Sequence, residues 1–167
     1  MSGLQYYKMY DDVVDPNYAT ESSACFDIRS YLKTGNRVRC YTPSNREISV
    51  AVAANAVTIK PGDRMLIPTC LIFDIPKDYS VRIHIRSSVA LKQGLFLANS
   101  EGVVDSDYFH ETFVILANKS NNTVSIKDGD RIAQGELVKI ESSLLTRTLV
   151  KPEQSTDRVG GIGSTGQ

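Results

Sequence analysis

The chain is short of cysteine, histidine and net charge, and each shortage argues against something. Its three cysteines, Cys25, Cys40 and Cys70, form no CxxC pair and leave one over, which speaks against a disulfide framework and against a zinc site. They read as reduced thiols of a cytoplasmic protein. The two histidines, His84 and His110, have no third ligand beside them and read as strand and turn residues. Lys and Arg total 19 against 19 Asp and Glu, so a non-specific grip on nucleic acid is not expected and any bound anion must be met by local charge. No run nears the length of a membrane span, and the first residues lack the apolar stretch of a signal peptide. A soluble intracellular protein without a membrane partner is the expectation.

What is present has the period of strands. Val81, Ile83 and Ile85 alternate with Arg82 and His84, and Thr112 to Leu116 is a dense run of β-branched and aromatic residues. Further strands are predicted over Glu47–Val52, Ala56–Ile59, Met65–Phe73, Thr123–Ile126, Gly135–Ile140 and Leu145–Val150. Turn signals at Lys60-Pro61-Gly62-Asp63, Ile75-Pro76-Lys77-Asp78 and Lys127-Asp128-Gly129-Asp130 separate them. The pattern predicts a sandwich, jelly roll or barrel in one domain. One short helix, Ser88–Gln93, opens on a serine cap and stops before Gly94. Residues 33 to 47 are polar and turn-rich and read as a surface excursion.

Polar islands interrupt the strands. Asp27 lies among apolar residues in Ser23-Ala24-Cys25-Phe26-Asp27-Ile28-Arg29. Arg86-Ser87-Ser88 places a guanidinium and two hydroxyls where a helix starts, a suitable meeting point for phosphate oxygens. Gly102-Val103-Val104-Asp105-Ser106-Asp107-Tyr108 forms an acidic turn, and Gly129-Asp130-Arg131-Ile132-Ala133-Gln134 a second charged one. The chain closes on Gly160-Gly161-Ile162-Gly163-Ser164-Thr165-Gly166-Gln167, the composition of a phosphate cradle with no helix behind it. Such an arm packs little of itself, so it is expected to be mobile when empty and ordered by an anionic ligand. Singly, each island reads equally well as ordinary turn chemistry.

In their order, the five segments ending with Asp157-Arg158-Val159-Gly160-Gly161-Ile162-Gly163-Ser164-Thr165-Gly166 resemble the five motifs of the trimeric dUTPases. The resemblance runs from about Ala24 to Gly166 and implies an all-β fold, a distorted jelly roll with one short helix, in residues 1–152. An insertion at about 33–56, expected to form an added hairpin, and a mobile phosphate-binding arm at 153–167 complete the chain. It also implies a homotrimer that shares its active sites between subunits, and hydrolysis of dUTP to dUMP and pyrophosphate. Asp105 is then the carboxylate that orients the attacking water, a task suited to a weak base. The triphosphate is clamped by Arg86, Ser87, Ser88, Gln134 and Arg158, with Gly163 and Ser164 in the arm. Mg²⁺ on the phosphates is touched by Asp27 through water, because this hard cation keeps its hydration shell. Asn99 pairs with the uracil edge, Gly102 and Val104 belong to the hairpin that excludes a thymine methyl, and Tyr108 packs against the deoxyribose.

Several residues depart from the family pattern. Ile162 stands for the usual aromatic cover of the base, which forfeits about 0.5–1.5 kcal/mol of aromatic pairing and predicts weaker nucleotide binding. Cys25 and Ser88 stand for glycines, Tyr108-Phe109-His110 replaces the usual Arg-Gly continuation, and the arm is one residue shorter. Arg-Ser-Ser is also the spelling of the related dCTP deaminases. Their proton-shuttling glutamate is replaced here by Ile115, which moves no proton. A reading from a different class is a nucleotide-gated regulatory module whose protein partner meets residues 33 to 56.

Overall fold

The computed structural model describes residues 3–153 and 155–157. In chain order the elements are β1 (Gln5–Lys8), β2 (Asn17–Tyr18), β3 (Phe26–Arg29), β4 (Arg37–Tyr41), β5 (Glu47–Ala51), β6 (Ala56–Ile59), β7 (Arg64–Pro68) and β8 (Leu71–Asp74). They continue with β9 (Tyr79–Ile85), α1 (Ser87–Gln93), β10 (Leu95–Leu97), β11 (Gly102–Val104), β12 (Phe113–Asn118), β13 (Val124–Lys127) and β14 (Arg131–Lys139). Two five-stranded sheets, ordered β10-β12-β7-β4-β5 and β11-β9-β14-β3-β2, form the expected jelly roll, with the small ribbons β1-β8 and β13-β6 beside them. The inward residues of both sheets, such as Val38, Met65, Ile67 and Leu116 from one and Phe26, Ile28, Val81 and Ile83 from the other, meet in a single core.

Where the alternation was clean, strand and prediction coincide. Elsewhere the structure differs for identifiable reasons. The run Met65–Phe73 is two strands, broken at Thr69-Cys70, where Cys70 takes a left-handed φ of 52°. Leu145–Val150 is not a strand: no neighbour among the described residues pairs with it, and Leu145 and Leu149 are 94% and 86% exposed. The helix begins one residue earlier than expected and has no serine cap. Its N-cap is Arg86, with no side-chain hydrogen bond, while Gly94 closes it in the left-handed conformation at φ 65°. Residues 33–47 are more than a surface excursion. Strand β4 buries Val38 and Cys40, pairs with β7 through Cys40 and Tyr41, and turns at Asn45 into β5, so the segment forms the expected hairpin, and that hairpin is built into the sheet.

The second sheet has one apolar and one polar face, because strand side chains alternate. Phe26, Ile28, Val81, Ile83, Ala133 and Gly135 turn inward. Asp27, Gln134 and His84 oppose one another in a single row on the other face, and Glu136 opposes Arg82 in the next. Gly135 is required there: a Cβ on it would stand 2.4 Å from Phe26 Cζ.

Candidate active site

Two groups of the predicted residues come together, in two places. The first is at the end of β3, β9 and β14. Asp27 is buried, its side chain 8% exposed, and its two oxygens are engaged separately. Oδ1 stands at ion-pair distance from Arg86 Nε, 3.1 Å, and Oδ2 accepts a hydrogen bond from Arg131 Nη1 at 3.2 Å. Arg86 owes its position to the β9–α1 junction, and Gln134 lies half-buried in register with Asp27. Ser87 and Ser88 follow in the first turn of α1 with exposed side chains. A buried carboxylate alone is costly; one flanked by two guanidiniums is charge-compensated, and the pair of arginines leaves one net positive charge for an incoming anion.

The second group lines one cleft of about 460 Å³, a size suited to a small ligand. Asn99, Gly102, Val104, Asp105 and Tyr108 all border it, as does the backbone around Val103. Gly102 lies against Ile83, whose Cβ would be 2.8 Å from an added Cβ. Asp105 is exposed just beyond β11, and its carbonyl accepts the Tyr108 N–H at 3.1 Å, which tightens the turn. The Tyr108 hydroxyl donates to the Glu111 carbonyl at 3.0 Å, so the ring is held upright at the rim. Glu111 itself is occupied structurally, accepting the Cys70 N–H at 2.8 Å. Ile115 presents only carbons to the cleft, so no proton shuttle stands there.

Asp27, Arg86 and Gln134 are not among the residues bordering that cleft. Arg158, Ile162, Gly163 and Ser164 lie outside the described residues. The structure also adds residues that sequence reasoning missed. Arg39 reaches the cleft wall from β4 and pairs with Glu47 at 3.6 Å. Thr112, buried in the same wall, has a hydroxyl without a hydrogen-bond partner among the described residues. Arg131 belongs to the second charged turn, but nothing local in the sequence indicates Asp27 as its partner. Arg39 carries no signal, because its segment reads as surface.

His84 lies in β9, a strand residue as expected, but it does have further ligand-type side chains beside it. Its Nε2 lies 3.3 Å from Glu136 Oε2, and Cys25 completes a cluster with the two.

A family model for dUTPase matches residues 46–166. The deoxyuridine 5'-triphosphate nucleotidohydrolase of Rickettsia prowazekii (strain Madrid E) is 36% identical over 151 residues, covering 90% of this chain and 87% of that protein. The protein of the same description from Nautilia profundicola is 34% identical over 165 residues, covering 98% and 99%. Among solved structures, a dUTPase variant of Staphylococcus bacteriophage 80alpha with dUpNHpp superposes with a TM-score of 0.75 at 20% identity, covering 99% of each chain. A variant dUTPase of phage phi11 of S. aureus, described with a structural Mg(II) ion, gives 0.70 at 18% identity, covering 91% of this chain and all of that one. The two structures are alike in fold; the sequence matches reach further, and by them this chain belongs to the dUTPase family.

Proposed function

We propose that this chain hydrolyses dUTP to dUMP and pyrophosphate at sites completed by more than one copy of itself. The observation that carries the reading is the division just described. The base-and-sugar cleft holds Asn99, Tyr108 and Asp105, while the anion-binding group of Arg86, Gln134 and Asp27 lies apart from it. A homotrimer, in which the cleft of one subunit faces the cationic group of another, brings the two halves onto one nucleotide. The arm of residues 153–167, with Arg158, Ile162, Gly163 and Ser164, closes over the phosphates. The three cysteines are unpaired, which accords with a cytoplasmic location, and no helix among the described residues is long and apolar enough to cross a membrane.

The chemistry follows from the placement of charge. Asp105, exposed at the cleft mouth, accepts a hydrogen bond from a water and aims its oxygen at the α-phosphorus. The new P–O bond forms in line as the bond to the bridging oxygen breaks, and pyrophosphate departs with that electron pair. Little covalent work falls to the protein, so its share of the rate is orientation and stabilisation of charge by Arg86 and its neighbours. Asn99 meets the uracil edge, and a wrong base that leaves a buried polar group unpaired costs about 1–3 kcal/mol.

Mg²⁺ fits this site through water. Both Asp27 oxygens are already taken by guanidiniums, and a cation that dehydrates reluctantly is better held by the phosphates with Asp27 outside its first shell. When bound it neutralises charge on the triphosphate.

The test is an assay of purified protein with Mg²⁺ and, separately, dUTP, dCTP, dTTP and UTP, following pyrophosphate and ammonia. Pyrophosphate from dUTP alone is expected. Ammonia from dCTP would overturn the assignment, as would equal turnover of dUTP and UTP.

A further inference from the structure

Outside the nucleotide site, the polar face of the second sheet carries a group of a different chemical kind. Cys25, His84 and Glu136 come from the approach to β3, from β9 and from β14. One ligand atom from each, Sγ, an imidazole nitrogen and a carboxylate oxygen, lies within 4.8 Å of the others. We propose that these three side chains form a binding site for a borderline divalent transition metal, with Zn²⁺ as its occupant.

The donor set argues for the metal. A thiolate, an imidazole and a carboxylate are the three protein ligands of zinc, whereas Mg²⁺ and Ca²⁺ take oxygen alone. The spacing fits as well. With Zn–N and Zn–O bonds of about 2.1 Å, the edge of a coordination tetrahedron is about 3.4 Å; His84 Nε2 and Glu136 Oε2 stand 3.3 Å apart. An edge to sulfur, with Zn–S of about 2.3 Å, is about 3.6 Å. The 4.8 Å bound then leaves at most about 1.2 Å to close, within the reach of side-chain rotation. His84 and Glu136 are 33% and 42% exposed, so an ion has a path in and a water can take the fourth position.

The surroundings supply the outer support that metal-bound histidines require. While Nε2 faces Glu136, His84 Nδ1 lies 3.8 Å from Glu101 Oε1, and Glu101 is itself held by Arg82 at 3.2 Å. At 3.8 Å Glu101 is not hydrogen-bonded to Nδ1, but a small side-chain rotation lets it accept that N–H and set the tautomer that leaves Nε2 to the ion. The bound ion ties together β3, β9 and β14, the strands that carry Asp27 and Gln134 and lead into Arg86, and adds its binding free energy to the folded state.

The experiment uses the full chain stripped of metal with a chelator and titrated with Co²⁺. The expected result is a thiolate-to-cobalt charge-transfer band in the near ultraviolet, saturating at one ion per chain. Zn²⁺ removes the band by displacement and excess Mg²⁺ leaves it. Zn²⁺ also protects Cys25 from alkylation and raises the unfolding temperature. Cys25→Ser abolishes the band, Glu101→Gln weakens Co²⁺ binding about 10–100-fold, and His84→Ala or Glu136→Gln weakens it further. Absence of the band in the unaltered protein overturns the proposal, whatever the variants do. Its persistence in a cooperatively folding Cys25→Ser protein, or displacement of Co²⁺ by Mg²⁺, overturns it equally.

Discussion

Gly135→Ala joins packing to activity in one substitution. The added methyl would meet Phe26 Cζ at 2.4 Å, Phe26 Cε2 at 2.5 Å and Ile28 Cδ1 at 3.2 Å, where carbon atoms are comfortable at about 3.5–4.0 Å. The ring has nowhere to go: it is buried, edge-on to Tyr18 at 5.8 Å and tilted against Phe73 at 5.7 Å. Overpacking costs about 1–3 kcal/mol, and two contacts this short place the site at the upper end. Alanine recovers about 0.5–1 kcal/mol because glycine loses more backbone freedom on folding. The net loss is about 2 kcal/mol, a fall of about 4–8 °C in Tm for a chain of this size. Asp27 follows Phe26 directly and Gln134 precedes Gly135, so a displacement of about 1 Å is expected to reduce pyrophosphate release by up to about a hundredfold. Urea unfolding at equal protomer concentration measures the first effect and a steady-state assay the second. Phe26→Leu added to Gly135→Ala should restore about 1 kcal/mol through coupling of the two sites. A Gly135→Ala protein as stable and as active as the parent would refute the reasoning.

Asp105→Asn should lower pyrophosphate release at least a hundredfold, by roughly the worth of a positioned acid–base group, while an exposed position leaves stability within about 0.5 kcal/mol; equal loss of both would show a structural role. Asp27→Asn removes the charge that Arg86 pairs with and weakens the hydrogen bond from Arg131. The Arg86 ion pair is the better buried of the two, that arginine being 23% exposed, and the 45% exposed Arg131 adds below about 1 kcal/mol, so urea unfolding should register a loss of about 2–3 kcal/mol, less than the roughly 3–5 kcal/mol of a fully buried pair. Burial pushes the Cys40 thiol up to about 11 and the Cys70 thiol up to about 12. Burial, with Glu136 beside it, raises the Cys25 thiol too, but Cys25 alone of the three is not buried, so alkylation of the folded, metal-stripped protein at pH 8 should label it first, and equal labelling of all three would count against this packing.

The amino-acid order by itself determined the fold class and named the residues that the fold gathers into two groups. Strands such as β9 and β12 were legible because β-branched residues and turn chemistry are local properties. The cleft residues Asn99 to Tyr108 were legible because they are neighbours along the chain. Local information also misled. The apolar residues at 145–150 have the propensity of a strand and no partner to pair with, while Val38 and Cys40 sit among arginines and turn residues yet belong to the core. Only the tertiary structure decided that Arg39 borders the cleft, that Asp27 is shared by Arg86 and Arg131, and that Cys25, His84 and Glu136 meet. No spacing rule connects those positions. They converge because β14 pairs with β3 on one side and β9 on the other in one register, and a slip of a single residue would turn the same side chains into the core.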